Sequence, residues 1–477
     1  MTSANHLKPL RDQKILVLGA ARQGLALTRF FLLHGSEVVL NDSSTEKILS
    51  SEINDMQKWI QENQSRVTGS LQWHLGNHPQ HLLDGCDVLF VSGGVPLTLP
   101  IIREAQKRGI LISNDSQVFM DEVPCPVIGI TGSAGKTTST ALLGKILQAT
   151  LQTKDRKIWV GGNIGLPLIE QVVEMNSEDL VLLELSSFQL DQMNTVPQIA
   201  AILNLTPNHL DRHGTMEAYI AAKANILRYQ KPSDWAVLNH EDANCWQLQD
   251  FVQGNLATFG MKRANLNIPQ TYLQKDQLFL FDGNEEQFIL NTAEIQLRGR
   301  HNIMNVLAVC LLAHLSGVPV KSIRPIIKEF HGVEHRLELV RIHNSVQWYN
   351  DSIATAPERS MAAIQSFSEP LVLLLGGKDK DLPWEKLAYL VHRRVHDVIL
   401  FGEASEKIET ILHKTKNNTS LTKITKCNHL KDAVRTAAKA AHPGDIVLLS
   451  PGGTSYDEFK DFAERGERYR QWVHQIL

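Results

Sequence analysis

Short runs of apolar, often β-branched residues alternate with longer helical patterns along most of the chain, and this alternation limits the folds open to it. The runs lie at residues 14–18, 38–40, 87–92, 127–130, 180–184, 200–205, 371–375, 397–401 and 445–449. A strand that is apolar at nearly every position must be covered on both faces. Helices between successive strands supply that cover in parallel sheets. Most runs end in glycine or polar residues at the strand's carboxyl end, where open α/β sheets receive ligands. The predicted class is α/β, and 477 residues at about 150 per domain predict three domains.

Two breaks set the boundaries. Pro124 and Pro126 favour an extended connection before a fresh strand, and a polar stretch at 331–335 precedes a new strand series. The predicted domains are 1–122, 123–332 and 333–477. Residues 250–295 alternate in polarity and are expected to form an antiparallel insertion in the middle domain.

Composition excludes other classes. Hydrophobic residues make up 43% and charged residues 21%, which rules out a disordered, collagen-like or coiled-coil chain. Forty-eight basic residues against 51 acidic ones leave a net charge of −3, without the basic excess of a general nucleic-acid binder. The polar start up to Lys14 lacks the apolar centre of a signal peptide. The longest apolar stretch, 303–320, is interrupted by Asn305, His314 and Ser316 and reads as a buried helix instead of a membrane span. Cys86, Cys125, Cys245, Cys310 and Cys427 are scattered, as in a reducing compartment. The sequons at Asn417 and Asn418 are then chance matches. A soluble cytoplasmic protein with neither nucleic-acid nor membrane partners is expected.

The strongest local signal is a strand at 127–130 entering Thr131-Gly132-Ser133-Ala134-Gly135-Lys136-Thr137-Thr138 and then a helix over 139–147. Glycines let backbone N–H groups converge on phosphate oxygens, and a helix N-terminus adds partial positive charge. Lys136 would reach the terminal phosphates, and the Thr137 hydroxyl would ligate magnesium. A strict phosphate-loop motif needs glycine at 130, where this chain has Ile130. The first strand also enters a glycine turn, Gly19-Ala20-Ala21-Arg22-Gln23-Gly24, with Asp42 at the end of the next strand. That resembles a dinucleotide fingerprint without its middle glycine, so a nucleotide-like group is favoured and NAD is not required. Ser92-Gly93-Gly94 follows another strand and could offer N–H groups to a diphosphate.

Read together with later blocks, the phosphate loop resembles that of the Mur ligase family, ATP-dependent amide-forming enzymes of peptidoglycan precursor synthesis. The blocks are Gly161-Gly162-Asn163-Ile164-Gly165, Glu184-Leu185-Ser186-Ser187-Phe188-Gln189-Leu190 and Asn204-Leu205-Thr206-Pro207-Asn208-His209-Leu210-Asp211-Arg212-His213. Ala221-Ala222-Lys223, His301-Asn302 with Asn305, His335-Arg336, Asn350-Asp351-Ser352 and the closing run from Leu449 to Phe459 follow in order. Within the family, the Leu-Ser-Ser-Phe-Gln-Leu and closing blocks look like the branch that adds D-glutamate to UDP-N-acetylmuramoyl-L-alanine.

The resemblance implies a Rossmann-like N-terminal domain holding a UDP-sugar, a central P-loop-like ATPase domain and a Rossmann-like C-terminal domain bringing the amino acid. It implies a monomer that uses ATP and magnesium to form an acyl phosphate, with domain closure excluding water. Gly132, Ser133, Ala134, Gly135, Lys136, Thr137 and Thr138 would bind ATP, with Asn305 at the purine, Arg336 at the phosphates and Asp351 at the ribose. Lys136, Glu184, His209 and Lys223 are the catalytic candidates. Thr137, Glu184, His209 and Lys223, the last if carbamylated, are the metal candidates, and His213 is structural. Arg22, Gln23, Asp42, Ser43, Ser92, Gly93 and Asn163 match the UDP-sugar pocket, and Thr355, Lys380, Ser455 and Phe462 match the D-glutamate site. The chain departs from the family at Ala134, where asparagine is usual, at Gly93, where proline is frequent, and at Ile353, where some members carry lysine.

Three rivals follow from the same residues. A sibling ligase would add another amino acid, or extend folate with glutamate. An NAD-dependent oxidoreductase is suggested by the glycine turn and Asp42, but leaves the Lys136 loop and Glu184 unexplained. A non-catalytic nucleotide-binding regulator would have no reason to keep Lys136, Glu184, His209 and Lys223 together.

Overall fold

The computed structural model describes residues 12–163, 167–380, 382–415 and 420–476, with Asp211 described in its backbone alone. The sequons at Asn417 and Asn418, and Ile164 and Gly165 of one motif block, lie outside these residues. The chain forms two compact units. One runs up to Glu294 and includes His301–Ile327, and the other comprises Ile295–Arg300 and the chain from Lys328 onward.

The first unit holds two sheets. Five parallel strands, β1 (Lys14–Leu18), β2 (Glu37–Asp42), β3 (Ser70–Leu75), β4 (Val88–Val91) and β5 (Leu111–Ser113), lie in the order β3-β2-β1-β4-β5. Alternate residues of β1 serve opposite faces. Ile15 and Val17 pack with Leu27, Phe30 and Phe31 of α1 (Arg22–Leu33), while Leu16 and Leu18 pack with Ile101, Ile102 and Ala105 of α3 (Pro100–Lys107). Between these helices, α2 (Ser50–Glu62) links β2 to β3. This is the period-two side-chain direction of a strand with both faces covered.

The second sheet has nine strands: β6 (Val127–Thr131), β7 (Ile158–Gly162), β8 (Leu180–Glu184), β9 (Ile199–Ile202), β10 (Trp235–Asn239), β11 (Asn255–Gly260), β12 (Gln270–Gln274), β13 (Gln277–Phe281) and β14 (Glu286–Asn291). Their order is β14-β13-β12-β11-β10-β9-β6-β8-β7. The expected antiparallel insertion over 250–295 is smaller than the alternation suggested. β11 pairs in parallel with both β10 and β12, and only β12, β13 and β14 form an antiparallel meander. A strand with one face toward solvent alternates whichever way its neighbours run, so alternation alone cannot report direction.

The two sheets are joined through a shared core and a polar seam. α4 (Asp115–Glu122) presents Asn114, its N-cap, and Gln117 to the second sheet. Asn114 Nδ2 donates at 2.8 Å to the carbonyl of Gln189, on the short helix α6 (Ser187–Leu190), and Gln117 Oε1 accepts from Asn194 N at 2.7 Å. Arg29 also pairs with Glu170 at 3.1 Å.

The second unit carries a six-stranded sheet of β15 (Glu338–His343), β16 (Val346–Asn350), β17 (Leu371–Gly376), β18 (Val395–Phe401), β19 (Lys423–Lys426) and β20 (Ile446–Gly452), in the order β15-β16-β20-β17-β18-β19. All neighbours are parallel except β15, an antiparallel edge. Leu371, Leu373 and Leu375 face one core and Val372 and Leu374 the other.

The apolar stretch expected to run as one buried helix through 303–320 stops earlier. Its helix is Arg300–Leu315, and Gly317 at φ +87° turns the chain before a second helix, Val320–Glu329. Glycine takes that left-handed conformation without a Cβ penalty. Among the described residues, no helix is long and apolar enough to cross a membrane.

Candidate active site

The predicted phosphate loop sits where β6 meets α5 (Lys136–Leu151), a helix longer at both ends than the sequence pattern marked. Gly135 caps the helix at φ +84°, and a Cβ there would lie 2.3 Å from Asn305 Oδ1. Backbone geometry and the approach of Asn305 therefore both demand glycine, and Asn305 lies directly against the loop. Asn204 grips the loop from its other side. Its Oδ1 accepts from Ala134 N at 2.8 Å and its Nδ2 donates to Ala134 O at 3.0 Å. Ser133 Oγ donates to Thr206 O at 2.8 Å and lies 2.8 Å from Tyr219 Oη. Lys136 folds back on the loop, its Nζ donating to Gly132 O at 2.7 Å.

Glu184 and Lys223 lie beneath this loop. Glu184 closes β8 and is 1% exposed. Its Oε1 accepts from Asn163 Nδ2 at 2.9 Å, and its Oε2 is buried without a hydrogen-bond partner. A buried carboxylate oxygen left unpaired carries a desolvation cost, so this atom is suited to a cation. Asn163 follows Gly162, whose φ is +99° and where a Cβ would lie 2.3 Å from Glu184 O. Lys223 projects from α8 (Met216–Arg228), is 1% exposed and donates from Nζ to Thr131 Oγ1 at 2.9 Å. Burial, aided by repulsion from Lys136 and opposed by attraction to Glu184, pushes its pKa well below the ordinary lysine value.

His209 occupies a left-handed position (φ +53°) at the N-cap of the short turn α7 (Leu210–His213). The sequence predicted a loop around these histidines because of Pro207. In the structure His209 ends the loop and His213 lies on the helical turn. His213 Nε2 is 2.9 Å from Ser187 Oγ, and its ring stacks on Phe188 with centroids 4.9 Å apart. Phe188 also meets His209 edge-on, at 5.2 Å.

At the carboxyl ends of β1, β2 and β4 the structure gathers Arg22, Gln23, Asp42, Ser43, Ser92 and Gly93. Asp42 closes the glycine turn, its carboxylate accepting from Ala20 N and Ser44 N, each at 2.8 Å. Burial disfavours its charge, but these hydrogen bonds hold its pKa below the ordinary value. Arg212 spans from α7 to the Gly93 loop, donating to Gly93 O and Val95 O at 3.2 Å each, with its guanidinium 3.8 Å over the Phe188 ring.

The second unit collects its predicted residues at the carboxyl ends of β16, β17 and β20. Arg336 is exposed, beside His335 (φ +62°) and Leu337 (φ +44°). Asp351 is buried, its Oδ1 accepting from Leu337 N at 3.2 Å and its Oδ2 from Ser450 Oγ at 2.8 Å. Burial raises its pKa to about 7. Thr355, Lys380, Ser455 and Phe462 lie on the loops after these strands and at the start of the helix Phe462–His474. Lys380 is exposed and Ser455 is buried.

Sequence reasoning did not single out Asn204, Tyr219 or Arg212 as site residues, although Asn204 and Arg212 stand in a quoted motif. Asp115 was also missed. Burial raises its pKa to about 6, and it lies against Gln23 and Arg22. Only its position at the N-terminus of α4 marked it.

Comparison with known proteins gives the family. Residues 13–114 match the Mur ligase MurD-like N-terminal domain, residues 130–313 the Mur ligase middle domain, and residues 335–453 the Mur ligase, glutamate ligase domain. The chain is 37% identical over 465 residues to the UDP-N-acetylmuramoylalanine–D-glutamate ligase of Symbiobacterium thermophilum, covering 98% of each chain. It is 35% identical over 473 residues to the protein of that name from Acetivibrio thermocellus, again covering 98% of each. Among solved structures, the UDP-N-acetylmuramate-alanine ligase of Thermotoga maritima shares the fold at a TM-score of 0.52 and 18% identity, over 97% of this chain and all of that one. The MurF ligase of Thermotoga maritima, solved in complex with ADP, does so at 0.52 and 17%, over 99% of both. With matched domains in sequence from the first strand to the last sheet, and relatives of this identity over nearly its whole length, the chain belongs to the Mur ligase family.

Proposed function

We propose that this chain joins D-glutamate to UDP-N-acetylmuramoyl-L-alanine, with ATP converted to ADP and phosphate, in peptidoglycan precursor synthesis. The observation that carries the reading is the buried pair of Glu184 and Lys223 under the Lys136 loop. ATP transfers its terminal phosphoryl group to the substrate carboxylate, and the amine of D-glutamate then displaces phosphate from the acyl phosphate. Lys136 leaves the Gly132 carbonyl for the transferring phosphoryl group and offsets its developing charge. The backbone N–H groups of the glycine loop orient the phosphates.

The unpartnered Oε2 of Glu184 fits a hard cation, with Thr137, His209 and a carbamylated Lys223 as further ligands. Magnesium bound there would supply charge neutralisation for the approach of two polyanions. Burial lowers the pKa of the Lys223 amine and so favours its uncharged, nucleophilic form. Its uncharged nitrogen can attack CO2, forming an N–C bond and losing one proton, which turns a buried amine into an anionic oxygen ligand.

Asn305 serves the purine, Arg336 the phosphates and Asp351 the ribose. Arg22, Gln23, Asp42, Ser43, Ser92, Gly93 and Asn163 receive the UDP-sugar, and Thr355, Lys380, Ser455 and Phe462 receive D-glutamate. The division into 1–122, 123–332 and 333–477, the monomeric state and the cytoplasmic location belong to the same proposal.

Phosphate release measured with ATP, magnesium and UDP-N-acetylmuramoyl-L-alanine tests the reading. Release is expected with D-glutamate and not with L-glutamate, L-lysine or no amino acid, and is lost in Lys136→Ala. Release with a different amino acid alone would move the assignment to a sibling ligase, and none at all from folded protein would overturn it.

A further inference from the structure

Arg465, on the first turn of the helix Phe462–His474, is fully buried (0% exposed); the charges of Asp457 and Glu458 attract it, but the hydrogen bonds it donates go to uncharged oxygens. A buried guanidinium with no carboxylate in direct contact is costly unless hydrogen bonds engage its donors. Here they reach the loops after β16 and β20. Nε donates to Ser352 Oγ at 3.0 Å and Nη2 to Ser352 O at 2.8 Å. Nη1 donates to Gly453 O at 3.2 Å and Thr454 O at 2.9 Å.

The loop after β17 is tied to the same point. Lys378 N donates to Thr454 O at 2.8 Å, and Thr454 N to Lys378 O at 2.9 Å. A Cβ on Gly377 would lie 2.9 Å from Arg465 Nη1. The helix start joins the set, since Ser352 Oγ donates to the Phe462 carbonyl at 2.7 Å. One planar fork thus sets the spacing of the segments that carry Thr355, Lys380, Ser455 and Phe462.

From this geometry we infer that Arg465 is a positioning residue for the amino-acid subsite: it touches no substrate and fixes the loops that do. The inference rests on the D-glutamate assignment above. A dicarboxylate held by donors from separate loops needs those loops at fixed separations, and an error of about 1 Å can cost on the order of a hundredfold. Lysine cannot replace the fork, because its single ammonium cannot meet acceptors on two loops at once.

The test is steady-state phosphate release by the full chain, wild type against Arg465→Lys and Ser352→Ala. Arg465→Lys is expected to raise KM for D-glutamate by about tenfold or more, with KM for UDP-N-acetylmuramoyl-L-alanine unchanged within about twofold. Ser352→Ala, which removes the hydroxyl that accepts from Arg465 Nε and donates to the Phe462 carbonyl but leaves the Ser352 carbonyl in place, is expected to raise it by about threefold and carries the test if Arg465→Lys does not fold. A lower melting temperature with the D-glutamate KM unchanged in both variants would reduce Arg465 to a purely structural role. So would an equal rise in both KM values. Wild-type enzyme that shows no D-glutamate-dependent release would overturn the functional reading itself, and the subsite with it.

Discussion

Asp351 lets a pH effect be worked from geometry. Its carboxyl is buried beneath the loops of the second unit, and burial raises its pKa from 3.8 to about 7 against hydrogen bonds from Ser450 and Leu337 and the charges of Arg336 and Arg359. Between about pH 4 and 7 the native state therefore holds one proton more than the unfolded chain, so stability falls as pH rises through that window. At about 1.4 kcal/mol per pH unit, two units of the window, from pH 5 to 7, correspond to roughly 3 kcal/mol, with no further loss above the native pKa.

Asp351→Asn imitates the protonated acid. Its Oδ1 keeps the Leu337 N–H, and its amide can donate to Ser450 Oγ, which then donates to Ser360 Oγ 3.1 Å away. Urea unfolding of wild type and Asp351→Asn at about pH 5 and about pH 8.5 is the assay. The margin of the variant over wild type is expected to be larger at pH 8.5 than at pH 5 by roughly 3 kcal/mol. Stability differences that are equal at the two pH values would refute the buried-acid argument.

Gly135→Ala forces a Cβ to within 2.3 Å of Asn305 Oδ1 at φ +84°; the strain costs about 1 kcal/mol, and KM for ATP, read in the phosphate-release assay, is expected to rise about tenfold. Glu184→Gln keeps the neighbourhood of Asn163 but removes the charge from the unpartnered oxygen, so magnesium titration of activity should require at least about tenfold more metal. Lys223→Met should abolish turnover while leaving the circular dichroism spectrum unchanged, and an intact-mass spectrum of wild type under bicarbonate should show one added CO2 that the variant lacks. Arg212→Ala removes the donors to Gly93 O and Val95 O; KM for the UDP-sugar substrate should change while KM for D-glutamate does not.

Features that depend on local chemistry could be read from the chain itself. Fully apolar strands announced parallel sheets with both faces covered, and the Gly132–Thr137 run announced a glycine turn between strand and helix, because burial on two faces and a positive φ each impose a residue type on neighbouring positions. The blocks that resemble Mur ligase motifs single out Glu184, Lys223 and Asp351 from the sequence alone. Tertiary structure decided what depends on groups distant in sequence. The direction of β11, the end of the helix at Leu315, the orphaned oxygen of Glu184 and the displaced titrations of Lys223 and Asp351 all follow from which segments pack against them. Arg465 makes the point most fully. In the sequence it is one of several charged residues in a polar helix, and only burial against Ser352, Gly453 and Thr454 turns it into the tie between two loops. Desolvation and hydrogen-bond pairing are properties of a three-dimensional neighbourhood, and no window of sequence contains one.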